Sequence, residues 1–72
     1  MAKLPVVSGQ KLVKILTKNF GFRVLRQKGS HVTLTNDFSF ITVPMHPELD
    51  KGTLRSILND ARIEKEDFTR YA

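Results

Sequence analysis

Seventy-two residues, 40% hydrophobic and 26% charged, form a single small globular domain, residues 1–72, with no room for a second domain, a nucleotide-binding βαβ pair or a barrel. Cysteine is absent, which excludes a disulfide framework and a thiolate metal site. No apolar run exceeds three residues, so neither a transmembrane helix nor a signal peptide is expected, and the net charge of +5 points a cytoplasmic chain toward a polyanion.

Met1 to Val7 reads as an extended lead-in, because Pro5 discourages an early helix. Ser8 is an N-cap for a helix over Gly9 to Asn19, in which Leu12, Val13, Ile15 and Leu16 recur near a 3.6-residue period. Lys11, Lys14 and Lys18 fall on the other side of that helix, and Gly21 stands where a helix end takes positive φ. Three strands follow. Phe22 to Gln27 is β-prone, Lys28-Gly29 is a two-residue hairpin signal, and Ser30 to Thr35 alternates. Asn36-Asp37 marks a second tight turn, and a third strand, Phe38 to Val43, is stopped by Pro44. Val32 and Leu34 share one face, which leaves His31, Thr33 and Thr35 on the other. After a loop from Pro44 to Asp50, Leu54, Ile57 and Leu58 mark a second helix, with Arg55, Asn59 and Arg62 off its apolar stripe. The acids in Glu64-Lys65-Glu66-Asp67 suit the first turn of a short terminal helix. The expected class is α+β, α-β-β-β-α plus that short helix, with both main helices on one face of a three-stranded antiparallel sheet and the other face open.

Charge is distributed unevenly along this order. Residues 1–36 hold seven bases and no acid, whereas residues 37–72 hold five bases and all seven acids. A compact basic half selects nucleic acid as the first partner class; a solvated face that only aids solubility is the plain alternative. An anionic membrane fits less well, because the helix bearing Lys11, Lys14 and Lys18 lacks the bulky aromatic face of an interfacial anchor.

The chain has two histidines, His31 and His46. His31 follows Lys28-Gly29-Ser30, a turn whose backbone N–H groups and cation suit a phosphate. An imidazole there suits acid/base work on RNA, taking a proton from a 2′-hydroxyl or giving one to the leaving 5′-oxygen. The same spacing is equally compatible with an ordinary exposed polar residue on an open strand. His46, in Pro44-Met45-His46-Pro47, reads as a loop tether or RNA contact rather than a catalytic group. Ser30 shapes the turn. His31, His46, Asp37, Glu48 and Asp50 have no recognised metal-ligand spacing, and there is no nucleophile elbow or glycine-rich phosphate loop, so no metal or other cofactor is expected. Phe38 and Phe40 alternate with the set Ile41 and Val43. If the latter face the core, the phenylalanines form an exposed patch for a protein partner or for base stacking; otherwise they tuck against the lead-in or a second copy.

Gly21-Phe22, Arg26-Gln27-Lys28-Gly29-Ser30-His31, Val43-Pro44-Met45-His46 and Lys51-Gly52-Thr53-Leu54-Arg55-Ser56-Ile57-Leu58 stand in that order in the chain. Together they resemble the HicA family of mRNA interferase toxins, over about Ser8 to Phe68. The resemblance implies a fold like the double-stranded RNA-binding domain, endoribonuclease activity on mRNA and neutralisation by a HicB-like antitoxin. The family's catalytic histidine matches His31, with Gly29 and Ser30 as its turn, and the family's Pro-x-His matches Pro44 and His46. Arg62 departs from the pattern, standing where the family usually has the glycine that ends the second helix.

The sequence therefore supports a metal-independent endoribonuclease toxin. His31 is its acid/base; Lys11, Lys14, Lys18, Arg23, Arg26 and Lys28 bind RNA, and His46 and Arg55 are candidate accessory groups. The alternative is a non-catalytic module that binds double-stranded RNA by shape. A third reading is a chain whose main role lies in a repressor complex with an acidic partner.

Overall fold

A computed structural model describes residues 3–72; Met1 and Ala2 of the expected lead-in lie outside the described residues. The elements are α1 (Gly9–Asn19), β1 (Arg23–Lys28), β2 (His31–Thr35), β3 (Phe40–Pro44), α2 (Lys51–Asp60) and α3 (Lys65–Thr69). The strands form one antiparallel sheet in the order β1-β2-β3, which is the expected α+β architecture. No helix among the described residues is long and apolar enough to cross a membrane.

The core lies between the helices and one face of the sheet. Val32 and Leu34 of β2 and their register partners Val43 and Ile41 of β3 are buried. They meet Leu12, Ile15 and Leu16 of α1, Leu54, Ile57 and Leu58 of α2, and Phe68 of α3 in a single cluster. Because all three helices join this one cluster, the opposite sheet face is left open. Phe68 is the largest fully buried side chain, so the five-residue α3 is held by what it inserts rather than by its own hydrogen bonds.

Local chemistry explains the element ends. Ser8 caps α1, its Oγ accepting the Lys11 N–H at 2.9 Å. After Gly21, at φ +71°, Phe22 does not begin β1 as its β propensity suggests. Its N–H bonds back to the Leu16 carbonyl at 3.2 Å and its ring is buried in the core, so the strand starts one residue later. The first hairpin turns on Gly29-Ser30, between the paired residues Lys28 and His31, rather than on Lys28-Gly29. Gly29 has φ +59° while Ser30 is not among the positive-φ residues, as suits a two-residue loop with glycine first. The second connection is a four-residue loop rather than a two-residue turn. Asn36 Oδ1 accepts the N–H groups of Phe38 and Ser39, and the buried Thr35 hydroxyl donates to the Ser39 carbonyl and accepts from the Asp37 N–H. Pairing resumes at Thr35 with Phe40, so Phe38 lies outside the ladder. Pro44 does not stop β3 but ends it from within, paired with His31; an edge strand tolerates the missing N–H.

Arg62 resolves the departure noted at the end of α2. The Ile63 N–H bonds to the Leu58 carbonyl at 2.9 Å and the Arg62 N–H to that of Asn59 at 3.1 Å, which is the paired closure of a Schellman end. It places Arg62 in the left-handed position with φ +60°. The helix thus ends where a glycine would end it, at the steric cost of a Cβ. Relief of that cost, about 1–2 kcal/mol, outweighs the extra unfolded-state entropy of glycine, about 0.5–1 kcal/mol. Arg62→Gly is therefore expected to raise the melting temperature by a few degrees, roughly 4–8 °C per kcal/mol in a domain of this size. An unchanged or lower value in thermal denaturation followed by circular dichroism would contradict this account.

Candidate active site

The open sheet face is a grid of three rows. Cross-strand register aligns Arg23, Thr35 and Phe40 in one row, Arg26, Thr33 and Thr42 in the next, and Lys28, His31 and Pro44 in the last. Directly opposed residues on neighbouring strands share a face, so each row carries a cation on β1, a polar residue on β2 and a β3 residue at the far edge. Thr35, expected on the solvent side with His31 and Thr33, is nevertheless buried, its hydroxyl taken up by the loop to Phe40. A bulge between Val24 and Arg26 makes this possible. With strict alternation, Arg26 and Lys28 would share their face with Val24; the extra residue, Leu25, re-phases the strand and brings Arg23 to the open face instead.

His31 is exposed at the start of β2, its position in the last row set by the Lys28 pairing on one side and Pro44 on the other. The turn before it is braced twice. Gln27 Nε2 donates to the Gly29 carbonyl at 3.1 Å, and the Met45 N–H donates to the Ser30 carbonyl at 2.6 Å. The 45–46 segment is in turn anchored to α1, because the Gly9 N–H donates to the His46 carbonyl at 2.9 Å. His46 thus contributes a backbone acceptor next to the histidine turn, while its side chain is exposed.

The cations separate into groups. Arg26 and Lys28 are exposed on the histidine face. Arg23 is on that face too, but its Nη2 donates to Asp37 Oδ1 at 2.7 Å. That hydrogen bond first, and the charge of the guanidinium second, hold the Asp37 carboxyl below the usual carboxylate range. The Arg23–Asp37 pair is therefore intact at neutral pH and is lost only as pH falls through that lowered value. Lys11, Lys14 and Lys18 line a shallow groove on the flank of α1 with Asn19 and Tyr71. They belong to the helical layer and do not share the face that carries His31. Arg55, on α2, lines a different groove with Glu64 and Glu66. Of the six bases expected to bind RNA, only those of the β1 column, Arg23, Arg26 and Lys28, thus share the face of His31. Among the described residues, no group of three or more His, Cys, Asp or Glu is placed to hold a metal ion.

Two features of this site are absent from the sequence-based expectations. Gly9 follows Ser8 at an ordinary helix start, yet it is buried and packs directly on the Pro44–Met45 backbone. The β1 bulge leaves no mark in a strand of unbroken exposure, although the three bases at 23, 26 and 28 do not follow a two-residue period, and that irregular spacing is its trace.

The chain is thus an α+β domain, a three-stranded antiparallel sheet backed by helices, with His31 on the open face beside the Gly29-Ser30 turn. The family model for the HicA toxin of bacterial toxin-antitoxin systems matches residues 9–63, most of the chain. The protein belongs to the HicA toxin family. Comparison with curated proteins gives no match.

Proposed function

We propose that this toxin-family protein is an endoribonuclease that cleaves mRNA, that His31 is its acid/base, and that a HicB-like antitoxin neutralises it. The observation that carries this reading is the placement of the exposed His31 opposite Lys28 and one row from Arg26, at the cationic β1 side of the open face. A phosphodiester laid along the β1 column has its charge met by Lys28 and Arg26 and its sugar edge turned toward the imidazole.

The chemistry is balanced within the RNA itself. The imidazole accepts the proton of a 2′-hydroxyl as that oxygen bonds to phosphorus, and the bond from phosphorus to the 5′-oxygen breaks. The imidazolium then returns the proton to the leaving oxygen. The products are a 2′,3′-cyclic phosphate and a 5′-hydroxyl, and the side chain is regenerated. Gly29 and Ser30 fix the histidine's position through the braced turn. The α1 lysines, on another surface, meet more distant phosphates of a long substrate.

The test is incubation of the purified chain with labelled single-stranded RNA in excess chelator, with analysis of product ends. Cleavage leaving cyclic phosphates supports the reading. Intact RNA under a clear mobility shift would instead favour the non-catalytic binding module, for which the separate lysine strip on α1 is the favouring observation. A second expectation concerns charge. Lys28→Gln should weaken binding across all RNA sequences and reduce the slope of log affinity against log salt by about 0.7, the counterion yield of one single-strand phosphate. An unchanged slope in a salt titration would remove Lys28 from the phosphate contacts.

A further inference from the structure

The β3 column of the open face is unused by this chemistry. Ile41 and Val43 are buried, so the alternate residues of β3 face outward, and Phe40 is 70% exposed. An exposed phenylalanine on a flat sheet surface has no stabilising role in the core. Its ring heads the row that contains Arg23 and Thr35, two rows from His31. Same-face neighbours along a strand are separated by two residues, so the two rows span roughly 13 Å.

We propose that Phe40 is a base-stacking platform that selects single-stranded RNA and sets its register over His31; this rests on the reading of the open face as the RNA-binding face. Charge complementarity identifies the occupant. Arg26 and Lys28 run down the opposite edge of the same face and Asp37 is held by Arg23, whereas Asp50 and Asp60 line the groove that Phe40 and Thr42 share with α2. The phosphates of a strand are therefore drawn to the β1 edge, and only its uncharged bases reach β3. A strand lying across the sheet puts phosphates on β1 and bases over β3. Thr33 and Thr42, in the row between, offer hydroxyl groups at the height of intervening bases. A duplex cannot use the ring, because its base faces are stacked on one another, whereas an unpaired base presents a free π-face to an aromatic side chain.

The experiment measures binding apart from cleavage. The full chain and its Phe40→Ala, Phe40→Leu and Phe40→Tyr variants are titrated against a short labelled single-stranded RNA that is 2′-O-methylated throughout, so that no internal hydroxyl can attack. The matching duplex is titrated in parallel. Phe40→Ala is expected to weaken single-strand binding about tenfold, within the range for loss of one stacked base. Phe40→Leu, which keeps apolar bulk but loses the ring, should weaken it similarly, and Phe40→Tyr should restore it. The salt slope should not change, because no charge is removed. Duplex binding should be weaker and indifferent to all three variants. Single-strand affinity that is the same in Phe40→Ala and the parent overturns the proposal, as does a loss seen only for a protein partner. Cleavage of unmodified RNA separates the two readings. A chain that binds through Phe40 but never cleaves defeats the nuclease and leaves the platform, whereas a chain that cleaves with affinity independent of Phe40 does the reverse. Absence of RNA binding defeats both.

Discussion

Replacing His31 by alanine is expected to lower the rate of RNA cleavage by about 10²- to 10⁴-fold, the usual contribution of a positioned acid/base, and to abolish growth arrest when the chain is expressed alone in a bacterial host. Stability should change little. His31 is exposed, and its side chain makes none of the hydrogen bonds that brace the turn, which are made by Gln27 Nε2 and the Met45 N–H to backbone carbonyls. That separation makes the substitution informative: a melting temperature equal to the parent's, together with retained RNA binding, assigns the loss to chemistry. His31→Gln is a useful companion, since an amide keeps hydrogen-bonding capacity but cannot accept and return a proton near neutral pH. It should be as inactive as alanine. If either variant is folded and still cleaves RNA at the parental rate, the proton transfers belong elsewhere, and His46 is the next group to test.

The pattern of this chain was most readable where a single periodicity dominates. The α1 stripe, the alternation of β2 and the Leu54-Ile57-Leu58 spacing each correspond to a face that is buried, and the solvent side of His31 followed directly from Val32 and Leu34. Reading failed at element ends, where propensity competes with tertiary packing. Phe22 has a strand-former's side chain, yet the core claims it as a plug behind the α1 terminus. Pro44 looks like a strand breaker, yet β3 is an edge strand and loses nothing by it. The charge asymmetry was equally legible as a total and misleading as a location. A linear count places the α1 lysines beside the hairpin cations, whereas the fold sets the helix against the opposite side of the sheet. What determines the candidate site is the β1 bulge, a shift of one residue that decides which three side chains join His31, and no composition argument reaches that scale.

Gly9→Ala is expected to be the most damaging small substitution in the chain. Two effects of opposite sign act at this position. Alanine is the better helix former, by about 0.5–1 kcal/mol in a helix interior and less at the first turn. Against that, a Cβ at Gly9 would overlap the Pro44 carbonyl oxygen and stand 2.9 Å from Met45 Cα. Both obstacles are backbone, so no rotamer change relieves them, and either α1 or the 44–46 segment must move. Overpacking of this kind costs about 1–3 kcal/mol or more, and the expected net loss of about 2 kcal/mol lowers the melting temperature by roughly 10 °C. The displacement is also transmitted to the site, because Gly9 holds the His46 carbonyl and Met45 holds the Ser30 carbonyl that precedes His31. Cleavage by Gly9→Ala should therefore be reduced even at temperatures where circular dichroism shows the variant fully folded, while the distant Arg62→Gly leaves it unchanged. A Gly9→Ala protein that melts at or above the parental temperature would mean that α1 slides along the sheet without cost. A destabilised but fully active one would mean that the two hydrogen bonds do not position the histidine.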